Sequence, residues 1–455
     1  MTLDAASLSR LDRRHLLHPI TEFRVHEREG PPLVVTRGKG IRLETSDGRT
    51  LIDAMSGLAH VGIGHGRSEI ADAVAEQMRE IAGYHAFYGF SAVPPIRLAE
   101  RLAQLVPADR EIDHFLFTTG GSDANETAFR MARLYHAVQG RPERRKILSR
   151  AWGYHGITRA AGSATRLPAY HLFEEPDPLH VQTAAPYCLR CEFGRTYPDC
   201  ALACADDVAA VIAREGPDTI AAVIVEPVIG TGGIVVPPPD YFARLQEICR
   251  RHDVLLIVDE VITGFGRTGH WFGMEHWDLK PDIVTFAKAL TSGTLPLGAV
   301  GPTRRVYETI RDESPDGSPF MMGITYNNHP TGCAAALAVL DVLEREGLVE
   351  RSAKLGAYLL ESLHRALDGV PEVREIRGLG LLTAIEFTEP GSLDPAGGEP
   401  EAFSHRVADE CLTRGVIARA IWDCVACVPP LCVSEQEIDE IVGVLGESVR
   451  AASRS

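Results

Sequence analysis

Three short stretches carry residues whose types and spacing could do chemistry. In the first, Phe117-Thr118-Thr119-Gly120-Gly121-Ser122-Asp123-Ala124, a strand-like run gives way to two glycines and then to Ser122 or Asp123, either suited to cap a helix beginning at Ala124. Exposed N–H groups at such a helix start suit a phosphate. An ordinary strand-turn-helix junction is the plainer alternative. In the second, Val258-Asp259-Glu260-Val261, two acids end a run too apolar to be anything but buried. A buried carboxylate needs a cationic or protonated partner, such as a protonated pyridine nitrogen. In the third, Lys288 follows Ile283-Val284-Thr285-Phe286-Ala287. That lysine is either a snorkelling strand-end group or an amine whose pKa is lowered by desolvation, as a Schiff-base nucleophile requires. A phosphate cup, an acid for a ring nitrogen and an amine for an aldehyde are together the three contacts of a pyridoxal 5'-phosphate site.

The elements that must position these residues are also legible. Short Val- and Ile-rich runs alternate with segments of helical period, the pattern of a mostly parallel sheet covered by helices. Strands are expected at 115–118, 146–149, 222–225, 254–258, 283–286 and 297–300. Ligands of open α/β sheets bind at the carboxyl ends of such strands. Phe242, Leu245, Ile248 and Cys249 fall on one helical face, as do Ala124, Ala128, Met131 and Tyr135. Beyond His329-Pro330 two long amphipathic stretches, through Leu337, Leu340 and Leu343 and then Leu355, Leu359 and Leu363, precede a strand at 381–385. This change of pattern indicates a second, smaller domain. The segment from Glu389 to Pro400 is dense in Pro, Gly and acid and reads as an exposed loop.

The 455 residues carry a formal charge of -16, from 46 Lys and Arg against 62 Asp and Glu. That balance argues against a nucleic-acid partner. The longest apolar runs are of strand length only, so no membrane segment is expected. The N-terminus lacks an apolar stretch after a basic start, so a cytoplasmic location is expected.

Over nearly its whole length the sequence resembles the class III (ω-amino acid:pyruvate) aminotransferases, which are fold type I pyridoxal-phosphate enzymes. The resemblance rests on Gly120 to Thr127, Tyr154-His155-Gly156, Glu226-Pro227 with Gly232-Gly233, Asp259 to Gly269, and Phe286-Ala287-Lys288-Ala289-Leu290. It continues in Thr325-Tyr326 with His329-Pro330, Arg377-Gly378-Leu379-Gly380, and Ile417-Ala418-Arg419 before Pro429-Pro430-Leu431. It implies an α/β fold: a large cofactor-binding domain at 61–329 with a mostly parallel seven-stranded sheet, and a smaller α+β domain formed by both termini, 1–60 and 330–455.

Carried over residue by residue, the resemblance implies that Lys288 forms the Schiff base and shuttles the proton, while Asp259 pairs with the pyridinium nitrogen. Tyr154 and Val261 would cover the two ring faces, Gly121 and Ser122 would hold the phosphate, and His155 and Glu226 would complete the cofactor site. Thr325 would reach the phosphate of the neighbouring subunit of a homodimer or higher oligomer. Leu58, Ala59, Phe87, Tyr88, Tyr154 and Arg419 would line the substrate pocket. The implied activity is a ping-pong ω-transamination, from an amine or amino acid donor to a keto acid acceptor such as pyruvate. Another class III reaction, racemisation or decarboxylation, would use the same site. A nicotinamide enzyme is disfavoured, because no Gly-x-Gly-x-x-Gly follows a first strand with an acid at the proper distance.

Two departures from the family pattern stand out. Thr119-Gly120 precede and Asp123 follows the Gly-Ser pair, where relatives often have Asn-Ser and Glu. Ala59 stands where many relatives carry Trp, which implies a missing bulky wall in the substrate pocket. In addition, Cys188, Cys191, Cys200 and Cys204 form a compact insertion that leaves structural zinc, a disulfide and free thiols all open. No metal is expected at the catalytic site.

Overall fold

The computed structural model describes residues 4–388 and 402–454. The chain opens with two short helices, α1 (Ala5–His15) and α2 (Phe23–Glu29), followed by the strands β1 (Val35–Lys39), β2 (Arg42–Thr45) and β3 (Thr50–Asp53). The large sheet is built from β4 (Leu116–Thr118), β5 (Lys146–Arg150), β6 (His180–Thr183), β7 (Ile220–Val225), β8 (Leu255–Asp259), β9 (Ile283–Phe286) and β10 (Gly298–Pro302). Its seven strands run in the order β4-β10-β9-β8-β7-β5-β6. Only β10 runs against its neighbours β4 and β9; the other pairings are parallel. The expected α/β class and mostly parallel seven-stranded sheet are therefore present.

The central strands are apolar along their whole length because both faces of the sheet are covered. All six residues of β7 and all five of β8 are buried. Alternation then divides them between two cores: Ile224, Leu255, Ile257 and Ile283 pack on one face with Ala128, Phe129 and Ala132 of the helix Gly121–Val138. Val223, Val225, Leu256, Val258 and Val284 pack on the other, with Phe242, Leu245 and Ile248 of the helix Tyr241–His252. Each such aliphatic side chain contributes about 1.5–3 kcal/mol by leaving water.

The C-terminal part adds β11 (Val373–Leu379), β12 (Leu382–Phe387), β13 (Val416–Ile417), β14 (Arg419–Ile421) and β15 (Cys424–Cys427). Four of these form an antiparallel sheet in the order β11-β12-β15-β14. The remaining strand, β13, pairs in parallel with β3, so the two ends of the chain share a sheet. The two amphipathic stretches after His329 are the helices Pro330–Arg345 and Leu348–Ala366. The Pro- and Gly-rich segment from Glu389 to Pro400 lies outside the described residues. No helix among the described residues is long and apolar enough to cross a membrane.

One expected boundary is corrected. The helix after β4 starts at Gly121 with Gly120 as its N-cap, and neither Ser122 nor Asp123 caps it. The Asp123 carboxylate instead reaches back to the Thr119 backbone N–H at 2.6 Å and the Thr119 hydroxyl at 2.8 Å. A carboxylate that ties the preceding turn leaves the first helical N–H groups free for another acceptor.

Candidate active site

The carboxyl ends of four strands of the large sheet meet around one cavity of about 350 Å³. Gly120 and Gly121 follow β4, Glu226 follows β7, Asp259 ends β8 and Lys288 follows β9 by two residues. Register brings them level, because Val225 pairs with Val258 and Asp259 pairs with Thr285.

Asp259 is only 3% exposed and is held at both oxygens. Its Oδ2 accepts from His155 Nδ1 and from Asn125 Nδ2, each at 2.8 Å, and its Oδ1 accepts from the Val261 N–H at 3.0 Å. Asn125 is oriented in turn by the Thr285 hydroxyl, which donates to Asn125 Oδ1 at 2.7 Å, while its Nδ2 also donates to the His155 carbonyl at 2.8 Å. The neighbouring acid has a different task. Glu260 turns away and accepts from the Thr263 hydroxyl and the Gly273 and Met274 N–H groups, and burial pushes its pKa up to about 7. Glu226 is buried too; it accepts from the Tyr154 N–H at 3.1 Å and the Gly230 N–H at 2.9 Å, and burial raises its pKa.

Lys288 lines the cavity in a left-handed backbone conformation, φ 47°, and its amine makes no hydrogen bond or ion pair among the described residues. Burial lowers its pKa to about 8, partly opposed by the charges of Asp259 and Glu226. An amine near neutrality in its titration is far closer to a nucleophile than a surface lysine is. Tyr154 also lines the cavity, and its ring packs edge-on against Tyr170 at 5.4 Å. Burial pushes the Tyr154 phenol up to about 12, so it stays protonated at neutral pH.

The expected residues Gly121, Ser122, Tyr154, His155, Glu226, Asp259, Val261 and Lys288 all line this cavity. Thr325, Phe87 and Tyr88 do not; they lie exposed on the surface of the chain, Tyr88 at 93%. Leu58 is exposed, whereas Ala59 is buried in an apolar cluster with Val228, Ile421 and Val428, outside the cavity lining. Arg419, on β14, stands close enough to Tyr154, Tyr170 and Lys288 for its charge to act on them. Sequence reasoning missed two contributors. Asn125 is the lone amide in the buried stripe of its helix, a pattern that could have marked it. His60 enters the cavity from the N-terminal segment and packs where Gly57 and Gly293 leave room; a Cβ there would come within 2.4 and 2.2 Å of its ring. Its Nδ1 accepts from the Leu58 N–H at 2.9 Å, which puts the ring proton on Nε2.

These residues fit pyridoxal 5'-phosphate. The free N–H groups of the helix start and Ser122 would hold the phosphate, Asp259 would hold the ring nitrogen and Lys288 the aldehyde. The glycines make that fit tight: a Cβ on Gly156 would meet Ser122 Oγ at 2.4 Å, and one on Gly121 would meet the Val261 methyls at 3.0 Å.

Comparison with known proteins points the same way. The profile of the family described as Aminotransferase class-III matches residues 24–449. The chain is 41% identical to the diaminobutyrate–2-oxoglutarate transaminase of Halomonas elongata, over 95% of this chain and 93% of that one. It superposes with a TM-score of 0.92 on the (S)-enantioselective ω-transaminase of Thermomicrobium roseum, at 43% identity over 100% of this chain and 99% of that one. The ω-transaminase of Pseudomonas jessenii in complex with PMP gives a TM-score of 0.93 at 36% identity, covering 98% of each chain. The chain belongs to the class III aminotransferases, pyridoxal-phosphate enzymes of fold type I.

Proposed function

We propose that the protein is an ω-transaminase that moves an amino group from an amine or ω-amino acid to a keto acid such as pyruvate, by two ping-pong half-reactions, as a cytoplasmic homodimer. The observation that carries this reading is Arg419. Its guanidinium has no ion pair or hydrogen bond among the described residues, and its charge acts on Tyr154, which lines the Lys288 cavity, and on Tyr170, which packs against Tyr154. A planar guanidinium without a resident carboxylate is a ready partner for an incoming one. When bound, the cofactor supplies the electron sink and carries the amino group between substrates. The chain supplies the rest. Lys288 Nζ holds and moves the proton at the reacting carbon, and the Asn125-His155 pair fixes Asp259. Tyr154 and Tyr170 shield the cavity, and Arg419 receives the acceptor's carboxylate.

A donor panel assayed with pyruvate and with 2-oxoglutarate tests the reading. The relative named for 2-oxoglutarate makes that acid the second acceptor to consider. Alanine formation from amines supports pyruvate; glutamate formation alone replaces it. Loss of carbon dioxide or inversion of an amino acid without transfer would indicate the decarboxylase or racemase alternative. In Arg419→Ala the KM for the keto acid should rise by the equivalent of about 2–4 kcal/mol while that for an uncharged amine changes little. Equal losses for both would remove Arg419 from this role.

A further inference from the structure

Away from the cavity, the N-terminal hairpin gathers a second set of ligand-bearing side chains. Neither α1 nor α2 contains a buried residue. Helices of 11 and 7 residues are too short to persist on their own propensity, so something other than core packing has to join them. Asp12 on α1, His18 in the connection and His26 on α2 converge there. His18 Nε2 lies 3.0 and 3.1 Å from the two carboxylate oxygens of Asp12, and His26 Nε2 lies 3.0 Å from Asp12 Oδ1. The two imidazole rings stand 4.5 Å apart.

The contact between His18 and Asp12 is, by itself, an ordinary hydrogen bond. His26 is different: its side chain is 10% exposed, and its Nε2 has no hydrogen-bond partner in spite of its closeness to Oδ1. A ring nitrogen that is near an oxygen yet not bonded to it points its in-plane lone pair beside that oxygen. Ligands arranged around a shared centre point in this way. A metal with N and O ligands at about 2.0–2.1 Å has ligand-to-ligand edges of about 2.9–3.4 Å, from right-angled to tetrahedral geometry. The three N-to-O spans fall in that interval.

We propose that Asp12, His18 and His26 bind one divalent transition metal, of which zinc is the representative, and that the metal clips α1 to α2. Two imidazoles and one carboxylate suit zinc, cobalt(II) or nickel and disfavour calcium and magnesium, which take oxygen ligands. Three protein ligands leave the remaining coordination positions to water. The clip lies on an element outside the Lys288 cavity, so this inference does not depend on which substrates the enzyme takes.

The test uses the holoenzyme, treated with a chelator and then titrated with Zn²⁺ by calorimetry and with Co²⁺ by visible absorption. The expected result is one equivalent bound, with affinity reduced about 100-fold or more in His26→Ala, His26→Gln and Asp12→Asn. A variant with Cys188, Cys191, Cys200 and Cys204 all changed to Ser should keep that equivalent, and the Co²⁺ spectrum should lack thiolate charge-transfer bands. Circular dichroism and the cofactor's visible spectrum establish that each variant is folded. Saturation absent at about 1 mM metal, binding unchanged in all three hairpin variants, or binding lost in the cysteine variant would each overturn the proposal.

Discussion

At the scale of residues, the site depends on how two charges are prepared. The amine of Lys288 is depressed to about 8 because burial outweighs the attraction of Asp259 and Glu226. The neutral form is the nucleophile, and its share grows as pH rises. Covalent capture of added cofactor by the apoenzyme should therefore accelerate with pH through a midpoint near 8, well below the ordinary lysine value of 10.5. Stopped-flow absorbance between mildly acidic and alkaline buffers reads this, and a midpoint near the ordinary value would refute the desolvation argument. Asp259 is prepared by geometry, since His155 and Asn125 fix its Oδ2 from two sides. Hydrogen bonds to charged groups are worth about 1.5–3 kcal/mol, so Asn125→Ala should weaken cofactor affinity by roughly ten- to a hundredfold. Equilibrium dialysis against free cofactor measures it, and unchanged affinity would show that the His155 contact suffices.

At the scale of elements, the cysteine insertion is anchored by charge. Its four thiols are free, and no three of them come within metal-ligand reach of one another. What holds the insertion to the C-terminal sheet is Arg190, which donates to Glu386 on β12 at 2.6 Å and to Asp423 at 2.5 Å. Tyr187 donates to the same Glu386, and Arg377 on β11 donates to it at 2.5 Å and to the Gly233 carbonyl at 2.6 Å. Burial opposes ionisation of Glu386, but Arg377, Tyr187 and Arg190 outweigh it and lower its pKa. A depressed carboxylate stabilises fully above its ordinary value and loses that contribution as pH falls through the depressed one. Arg377→Met should therefore cost about 3–5 kcal/mol near neutrality, with the deficit narrowing in acid. Denaturant melts across pH check both statements, and a deficit constant with pH would mean that the charge pair is not its source.

For the whole molecule, the exposed residues carry the argument. Tyr84, Phe87, Tyr88, Phe90, Val93 and Ile96 all stand in solvent on a single chain, as do Phe320, Met321, Ile324 and Tyr326. The two groups touch, since a Cβ on Gly323 would meet the Phe87 ring at 2.9 Å. Apolar patches of this extent mark interaction surfaces, and Thr325 lies within this one. On the homodimer proposed above, Tyr88→Glu should shift the protein toward monomer and lower its activity together with its association. Sedimentation velocity at assay concentrations checks it; a fully active wild-type monomer would contradict the dimer.

Much of this was legible along the chain. The strand ends bearing Gly120-Gly121, Asp259 and Lys288 could be read directly, because a buried parallel strand is a local apolar run and a polar residue at its end is conspicuous. The motifs added the cofactor and the family. Adjacent acids could not be told apart by sequence: Asp259 faces the cavity and Glu260 holds the loop to Met274, a division set by one step of a strand's alternation and by which backbone N–H groups arrive from elsewhere. His60 and Asn125 reach the same cavity from separate segments of the chain, Arg419 on β14 comes close enough for its charge to act there, and Asp12, His18 and His26 meet only because α2 folds back on α1. Periodicity is a property of neighbours in the chain, whereas convergence depends on the summed geometry of every turn between the converging residues. Only the tertiary structure decides that.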